Sequence, residues 1–350
     1  MKIKNIRAFP LRRKVADISD ARRPGWQDDA EIANPMSRYP RYKARRSSWR
    51  PAAGEGEPCL ATERLWDMMF RLASPYSAAG LAAYAISAVD LALWDLKGRV
   101  LQRPVYELLG GPAREQITCY ATGNDTDWHM ELGFKATKLA CPYGPADGLA
   151  GLAGDERLVA RTRDMIGDDI ELMLDCWMAF DVEFAVRLAD RLRRYRLKWI
   201  EDCLIPEDLA GFAELRRRLP NQGLATGEHW YVIQPFFEAA RNGLVDILQP
   251  DIEWAGGLTA CVKICHIAEA AGRSVMLHAG MNTPFGQHLT FAMPSATWGE
   301  YFVHAPPGVP LERMVTIPGT AVPYDGSLRP SDAPGFGMEI DLDWVEAQAG

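Results

Sequence analysis

The chain has 350 residues, of which 48% are hydrophobic and 24% are charged, so it can bury a large core and is not expected to be disordered. It lacks the roughly 18-residue apolar window of a membrane-spanning helix, and its first residues lack the apolar segment of a secretory signal. The net charge of −7 argues against a nucleic-acid partner, because phosphate binding requires a basic surface. We therefore expect a cytoplasmic protein that acts on a small molecule.

The first 116 residues differ in pattern from the rest of the chain. They begin with a predicted strand over residues 2–10, followed by an irregular stretch rich in Arg, Pro, Gly and Ser over residues 17–58. Apolar residues at helical spacing then predict helices over residues 61–73 and 80–99. A short helix and a glycine stop, in PVYELLGG, end this region.

From Ile117 onward, short apolar runs alternate with amphipathic helical segments. Eight such runs predict strands, over residues 117–122, 134–140, 170–177, 197–204, 223–229, 246–254, 274–280 and 298–303. Helical patterns between them cover residues 182–194, 209–217, 235–242 and 258–271. Eight β units with intervening helices indicate an α/β fold, a parallel (β/α) barrel of the TIM type. An open doubly wound sheet is the alternative, disfavoured because no G-x-G-x-x-G follows the first strand.

The seven cysteines form no C-x-x-C pair, and the nearest two are Cys261 and Cys265. We expect free thiols in a reducing compartment. A zinc site built from them is disfavoured, because no second cluster supplies the remaining ligands.

Ionisable side chains stand at the ends of six successive predicted strands. In a parallel barrel these ends open on one face, where catalytic groups gather. A single charged residue at a strand end often only marks a solvated terminus or a helix cap. Ionisable residues at the ends of six successive strands favour one shared site. The six residues are Asp175, Glu201, Glu228, Asp251, His278 and Glu300.

Converging carboxylates repel one another and are costly to desolvate without a cation. Three carboxylates, completed by waters and substrate oxygens, suit octahedral Mg²⁺. We assign Asp175, Glu201 and Glu228 as the metal ligands, because consecutive strands place their side chains next to one another.

Asp251 and His278 lie on the next two strands. A carboxylate beside an imidazole fixes its tautomer and raises its basicity, which makes His278 a candidate general base. His229 either faces the site or caps a helix. Lys138, near the end of the second strand, is a candidate electrophilic contact to substrate, and the alternative is a surface lysine. A metal beside such a base suits removal of the weakly acidic α-proton of a carboxylate substrate.

These motifs resemble the enolase superfamily, mandelate racemase-like branch. The similarity covers VDLALWDLKGRVLQRPVYELLGG, LMLDCWM, LKWIEDCL, GEH, QPDIEWAGGLT and the histidine of MLHAG, in that order. The segments NPMSRYPRYKARRSSW, YATG, KWIEDCL and PGFGMEI resemble the L-rhamnonate dehydratase subgroup most closely. A Lys or His base beside Mg²⁺ is a known feature of this superfamily.

The resemblance implies Mg²⁺ on the three carboxylates, with His278 as proton acceptor supported by Asp251. It implies that Glu300 hydrogen-bonds the substrate carboxylate and stabilises the enolate, and that Arg46 binds substrate, with Arg45 as the adjacent alternative. It also implies an N-terminal α+β capping domain over residues 1–116, to which a return segment over residues 326–350 belongs. The barrel would then cover residues 117–325.

Three features depart from the family pattern. Where many racemases have K-x-K with a second basic lysine, this chain has Lys138 and then Ala140, which disfavours two-face racemisation. The run AGMNTPFGQH follows His278 in place of a Gly-Ser-Ser run, so the pocket wall and the sugar would differ. RPAAGEGEP stands where relatives are expected to have roughly 45 residues of cap, so the capping domain is predicted to be truncated.

The sequence thus predicts a lyase, a Mg²⁺-dependent acid-sugar dehydratase of L-rhamnonate dehydratase type that converts an aldonate to a 2-keto-3-deoxy acid. His278 is expected to serve as base and then as acid, with His229 as the second candidate acid. A racemase, epimerase or cycloisomerase, or a non-catalytic homologue that binds metal or a sugar acid, are the alternatives. By analogy with similar barrels we expect a homo-oligomer that contacts neither nucleic acid nor membrane.

Overall fold

The computed structural model describes residues 58–348. The predictions for residues 2–10 and 17–57 lie outside the described residues. By contacts within the chain, Thr62–Glu339 form one compact unit, and Ile340 onward belongs to a second unit whose described part holds the last helix.

Within residues 58–348, nine strands form one sheet, of which eight are parallel. They are β1 (Ile117–Thr122), β2 (Ala136–Ala140), β3 (Glu171–Asp175), β4 (Ile200–Glu201), β5 (Leu224–Thr226), β6 (Ile247–Leu248), β7 (Ser274–Val275), β8 (Gly299–Phe302) and β9 (Ser327–Leu328). Pairing follows the order β7-β6-β5-β4-β3-β2-β1-β8, and β9 adds antiparallel to β1. Each of the eight parallel strands lies within one of the eight predicted runs, although most strands are shorter than predicted.

The sheet curls so that its two end strands approach each other. Val275 of β7 forms an isolated parallel bridge with Ala296, and its amide donates to the Ser295 carbonyl at 2.8 Å. Ser295 and Ala296 lead directly into β8. The ring is therefore joined between β7 and β8 by this bridge rather than by a full ladder, a modified form of the predicted barrel.

Eleven α-helices fall in the described residues: α1 (Thr62–Ala73), α2 (Leu81–Leu101), α3 (Val105–Leu108), α4 (Thr126–Glu131), α5 (Gly148–Ile166), α6 (Val182–Leu192), α7 (Leu209–Arg218), α8 (Gln234–Asn242), α9 (Gly257–Ala270), α10 (Pro284–Ala292) and α11 (Leu342–Gln348). Local chemistry sets their ends. Asp181 begins α6 and Asp208 begins α7, each accepting a hydrogen bond from a first-turn amide at 2.8 Å. Gly243, with φ of +63°, ends α8 in the left-handed conformation that glycine favours.

Because side chains alternate along the strands, the buried apolar residues form two layers, one inside the barrel and one between the strands and the helices. One residue from or beside each of β1 to β7 fills the barrel interior, and together they form what we call the interior layer: Tyr120, Ala136, Met173, Trp199, Ala225, Ile247 and Met276. Their neighbours, such as Leu139, Leu174 and Ile200, point outward into the larger core beneath the helices. This is the period-two pattern of a packed (β/α) barrel.

Helix α2 packs on α9 through buried polar contacts. The Trp94 indole donates to Thr259 Oγ1 at 2.9 Å, and the Asp90 carboxylate accepts from the Thr259 amide at 2.9 Å and from its hydroxyl at 2.6 Å. Burial raises the pKa of Asp90 to about 7 despite these two hydrogen bonds. None of the helices over residues 58–348 is long and apolar enough to cross a membrane.

Candidate active site

Several polar residues of the site lie two residues beyond an interior-layer residue, toward the carboxyl end of the same strand. Because side chains alternate, the residue two positions after an interior one also points inward. Two residues beyond Ala136, Met173 and Trp199 come Lys138, Asp175 and Glu201, and two beyond Ile247, Met276 and Trp298 come Gln249, His278 and Glu300. The strands end here, at what we call the mouth of the barrel.

Asp175, Glu201 and Glu228 meet at this mouth. One carboxylate oxygen from each lies within 4.8 Å of the others, and Glu201 and Glu228 are buried. Glu201 is held in place because its Oε2 accepts from the Trp199 indole at 2.9 Å and from the Gln249 amide at 2.7 Å. Burial raises the pKa of Glu201 well above its usual range. The predicted meeting of the three carboxylates is present in the structure.

Lys138 is fully buried among these carboxylates, so the alternative of a surface lysine is wrong. Its Nζ lies 3.2 Å from Asp175 Oδ2 and 2.7 Å from Glu300 Oε1, and it also contacts Glu201 Oε1. Burial alone would lower the pKa of Lys138, but the negative charges around it raise that pKa well above its usual value. The side chain therefore supplies a fixed positive charge at the base of the site.

His278 and Asp251 form the predicted pair. His278 Nδ1 lies 2.8 Å from Asp251 Oδ2, and its Nε2 lies 3.3 Å from Glu228 Oε2. The other Asp251 oxygen accepts from the Glu253 amide at 2.7 Å and from the Trp254 amide at 3.1 Å, which fixes the carboxylate. Burial would lower the pKa of His278, but the Asp251 hydrogen bond and the charges of Glu300 and Glu228 raise it to about 10.

Glu300 is also fully buried at the mouth. Its Oε1 accepts from the Thr122 hydroxyl at 2.5 Å and from Lys138, and its Oε2 accepts from the Ala279 amide at 2.9 Å. Burial would raise the pKa of Glu300, but the Lys138 ammonium lowers it to about 2. The carboxylate is therefore held as an anion by three donors.

His229 turns toward the site rather than away from it. Its Nδ1 lies 3.0 Å from Glu228 Oε1 and 3.7 Å from Asp202 Oδ2, and these two acids raise its pKa to about 9. Its ring is tilted against the Trp254 indole at 5.6 Å between centroids, and Trp254 in turn lies 5.1 Å from the His278 ring. The structure thus resolves the two readings of His229 in favour of the mouth. Arg46 and Arg45 lie outside the described residues.

Sequence reasoning missed several residues that shape the site. Trp199 and Gln249 orient Glu201, Thr122 and Ala279 hold Glu300, and Trp254 packs against both imidazoles. Gln249 could have been found, because it lies two positions before Asp251 on the same strand face. Trp254 follows a turn after Asp251, where strand periodicity no longer applies.

Comparison with known proteins identifies the family. Residues 126–344 match the family model "Enolase C-terminal domain-like", and residues 56–110 match the N-terminal domain model of mandelate racemase and muconate lactonizing enzyme. The chain belongs to the mandelate racemase and muconate lactonizing enzyme family. This confirms the resemblance predicted from the strand-end motifs.

Several similar proteins are named for the same activity. A protein of Saccharopolyspora erythraea named L-rhamnonate dehydratase is 36% identical, over 97% of both chains. The crystal structure of L-rhamnonate dehydratase from Gibberella zeae is 32% identical with a TM-score of 0.80, covering 85% of this chain and 76% of that chain. A second structure of the Gibberella zeae enzyme, complexed with Mg, is 32% identical with a TM-score of 0.79 and covers 85% and 73%.

The length of the alignment with the Saccharopolyspora protein bears on the predicted truncation of the capping domain. It extends over 381 positions, although this chain has only 350 residues. The Saccharopolyspora protein therefore has residues within the aligned region for which this chain has no counterpart. This agrees with an internal segment shorter than in relatives, as predicted around RPAAGEGEP.

Proposed function

We propose that this chain is a Mg²⁺-dependent acid-sugar dehydratase that acts on L-rhamnonate or a similar aldonate. The reaction removes the C2 proton and the 3-hydroxyl of a 2,3-dihydroxy acid and yields a 2-keto-3-deoxy acid. The observation that carries the proposal is the meeting of three carboxylates and a His–Asp pair at one mouth of the barrel. Relatives named L-rhamnonate dehydratase at 36% and 32% identity support it.

The donor set at the mouth fits Mg²⁺. Asp175, Glu201 and Glu228 offer three hard oxygen ligands within 4.8 Å of one another, and this trio includes no sulfur or nitrogen ligand. These three residues would hold the ion. When bound, Mg²⁺ polarises a substrate carboxylate and stabilises the negative charge that develops as the α-proton leaves.

His278 is proposed to take the C2 proton at Nε2. Its Nδ1 is engaged by Asp251 at 2.8 Å, so the neutral tautomer that donates to Asp251 presents Nε2 as the acceptor. A cation held by Glu228 would offset one of the negative charges that raise the pKa of His278 and so favour this neutral form. The same imidazole can then return the proton to the departing 3-hydroxyl. His229 is the second candidate for this acid, because it lies at the same mouth, beside the Glu228 oxygen that His278 does not contact.

Lys138 and Glu300 are proposed to receive the carboxylate end of the substrate. The Lys138 ammonium contributes a preorganised positive charge, which costs no reorganisation during the reaction. Glu300 is held as an anion in the present arrangement, so its predicted hydrogen bond to a substrate carboxylate requires that it or the substrate carry a proton. Arg46 is retained as the proposed substrate contact from the cap.

The absence of a second lysine at the end of β2 favours dehydration over racemisation. Ala140 pairs with Asp175 in the β2–β3 register and offers no proton acceptor at the strand end. A racemase needs bases on both faces of the α-carbon, whereas elimination needs one group that first accepts and then donates the proton. The family contains racemases, so this residue separates the two activities.

A screen of acid sugars, with Mg²⁺ and with EDTA, tests the proposal by detecting 2-keto-3-deoxy products. We expect Mg²⁺-dependent product from L-rhamnonate or a close epimer, and none from His278→Asn. Deuterium exchange at C2 in D₂O without loss of water would instead indicate a racemase or epimerase. Binding of Mg²⁺ and aldonate with no conversion across the library would indicate a non-catalytic homologue.

Three sequence predictions belong to this proposal. They are a cytoplasmic location, assembly into a homo-oligomer, and division into a capping domain over residues 1–116 with 326–350 and a barrel over 117–325. The location and the oligomer follow from composition and family analogy. Native mass spectrometry would test the oligomeric state.

A further inference from the structure

Three thiols lie directly behind the carboxylates of the mouth. Cys141 follows β2, Cys176 follows β3, and Cys203 lies two residues beyond the end of β4. Because side chains alternate, Asp175 points into the barrel and the next residue, Cys176, points outward. Cys176 and Cys203 are buried in the core beneath the helices, and Cys141 packs against that core but is partly exposed.

Cys141 and Cys176 occupy neighbouring positions on neighbouring strands. The register pairs Ala140 with Asp175, and the Cys141 amide donates to the Asp175 carbonyl at 2.8 Å. Adjacent strands lie about 4.8 Å apart, within the range of roughly 4.4–6.8 Å between the Cα atoms of a disulfide. The thiols of Cys141 and Cys203 are neighbours of the Cys176 thiol.

A buried carboxylate lies against the exposed member of the pair. Asp155 of α5 is fully buried, and among the described residues neither of its oxygens has a hydrogen-bond partner of normal geometry. The Cys141 thiol and the Tyr143 amide are the donors that approach it. The same thiol lies 3.6 Å from the Tyr143 carbonyl. The Cys141 thiol therefore lies beside both the Tyr143 carbonyl and the buried Asp155 carboxylate, on the strand next to that of Cys176.

We propose that Cys141 and Cys176 are an oxidisable pair that closes to a disulfide behind the metal ligands. Hydrogen peroxide reaches the partly exposed Cys141, whose sulfur takes one oxygen to become a sulfenic acid while the remaining atoms leave as water. The Cys176 sulfur then attacks the Cys141 sulfur, the S–O bond breaks, and the hydroxyl departs with the Cys176 proton as a second water. Two thiols are oxidised and one peroxide is reduced.

A disulfide between Cys141 and Cys176 would disturb the proposed metal site. This consequence rests on the proposed function. Cys176 is bonded to Asp175, and its amide donates to the Glu201 carbonyl at 3.0 Å. Pulling the Cys176 sulfur toward β2 therefore shifts the backbone that carries two of the three proposed ligands. Disturbing groups that orient metal ligands typically lowers metal affinity by about 10- to 100-fold, and a similar loss of Mg²⁺ affinity is expected here.

The test treats the full chain with hydrogen peroxide, alkylates the remaining thiols, and maps the peptides by mass spectrometry. We expect a product lighter by two hydrogens, with Cys141 joined to Cys176, and its reversal by dithiothreitol. Cys141→Ser should abolish the cross-link, whereas the control Cys261→Ser, on the far helix α9, should leave it intact. Brief alkylation of the native protein should label Cys141 before Cys176, which tests the pair without any substitution.

Mass mapping and Mg²⁺ titration keep this proposal separate from the proposed function. Peroxide treatment that leaves both thiols alkylatable, or that joins other cysteines, would overturn the pair whatever the enzyme's activity. A disulfide that forms without change in Mg²⁺ affinity would overturn its coupling to the site. A chain that dehydrates no acid sugar but forms the cross-link would refute the proposed function alone.

Discussion

Removing the Lys138 ammonium should destabilise the protein strongly in the absence of metal. Lys138 is buried and contacts Asp175, Glu201 and Glu300, so Lys138→Met leaves three carboxylates close together without a compensating charge. Breaking a buried ion pair by removing one partner costs about 3–5 kcal/mol, and we expect a loss of that size in the free energy of unfolding. Urea unfolding in EDTA measures it.

A matched control separates this effect from the loss of any lysine. Lys198→Met removes the partly exposed contact between Lys198 and Glu171, 2.8 Å apart, and should cost about 1 kcal/mol or less. Adding Mg²⁺ should restore more stability to Lys138→Met than to the wild type, because the cation replaces the missing charge among the same carboxylates. Equal losses in the two variants would refute the account of the buried charge cluster.

Three further predictions concern catalysis, pH and packing. His278→Asn should abolish turnover while Mg²⁺ binding by calorimetry is retained, and residual turnover would remove His278 from its role. Burial lowers the pKa of His288 to about 4, and its Nδ1 accepts from the Tyr106 amide. His288 therefore stabilises the fold above pH 6.5 and loses that contribution as pH falls toward 4, so the stability gap between wild type and His288→Gln should narrow by about 2 kcal/mol from pH 7 to pH 5. A gap independent of pH would contradict this. Phe212→Ala, in the core beneath the helices, should cost about 3–5 kcal/mol in urea unfolding, and a much smaller cost would show that the site repacks.

The positions of the ligands could be predicted because they follow from where parallel strands end. Asp175, Glu201 and Glu228 each end an apolar run, and parallel strands must finish on the same side of a closed sheet. The same reasoning brought Asp251 next to His278. Such contacts are fixed by topology and require no knowledge of side-chain conformations.

The partners of those ligands could not be predicted in the same way. Strand alternation turns Lys138 inward, but no local pattern around TKLA reveals that it contacts three acids on three other strands. The helix α5 was not predicted because its first turns, GLAGLAG, combine glycine with weak amphipathicity. Strand β9 is only two residues long and is defined by its pairing with β1, a contact far away along the chain.

The central claim is that one Mg²⁺ ion, held by three carboxylates beside His278, supports dehydration of an acid sugar. Titrating Mg²⁺ into EDTA-stripped protein, while following both bound metal and 2-keto-3-deoxy product from L-rhamnonate and its epimers, tests it most directly. The account predicts that turnover rises with bound metal and saturates at one ion per chain, and that Glu201→Gln weakens both together. Turnover that is independent of Mg²⁺, or full metal binding by Glu201→Gln, would contradict it.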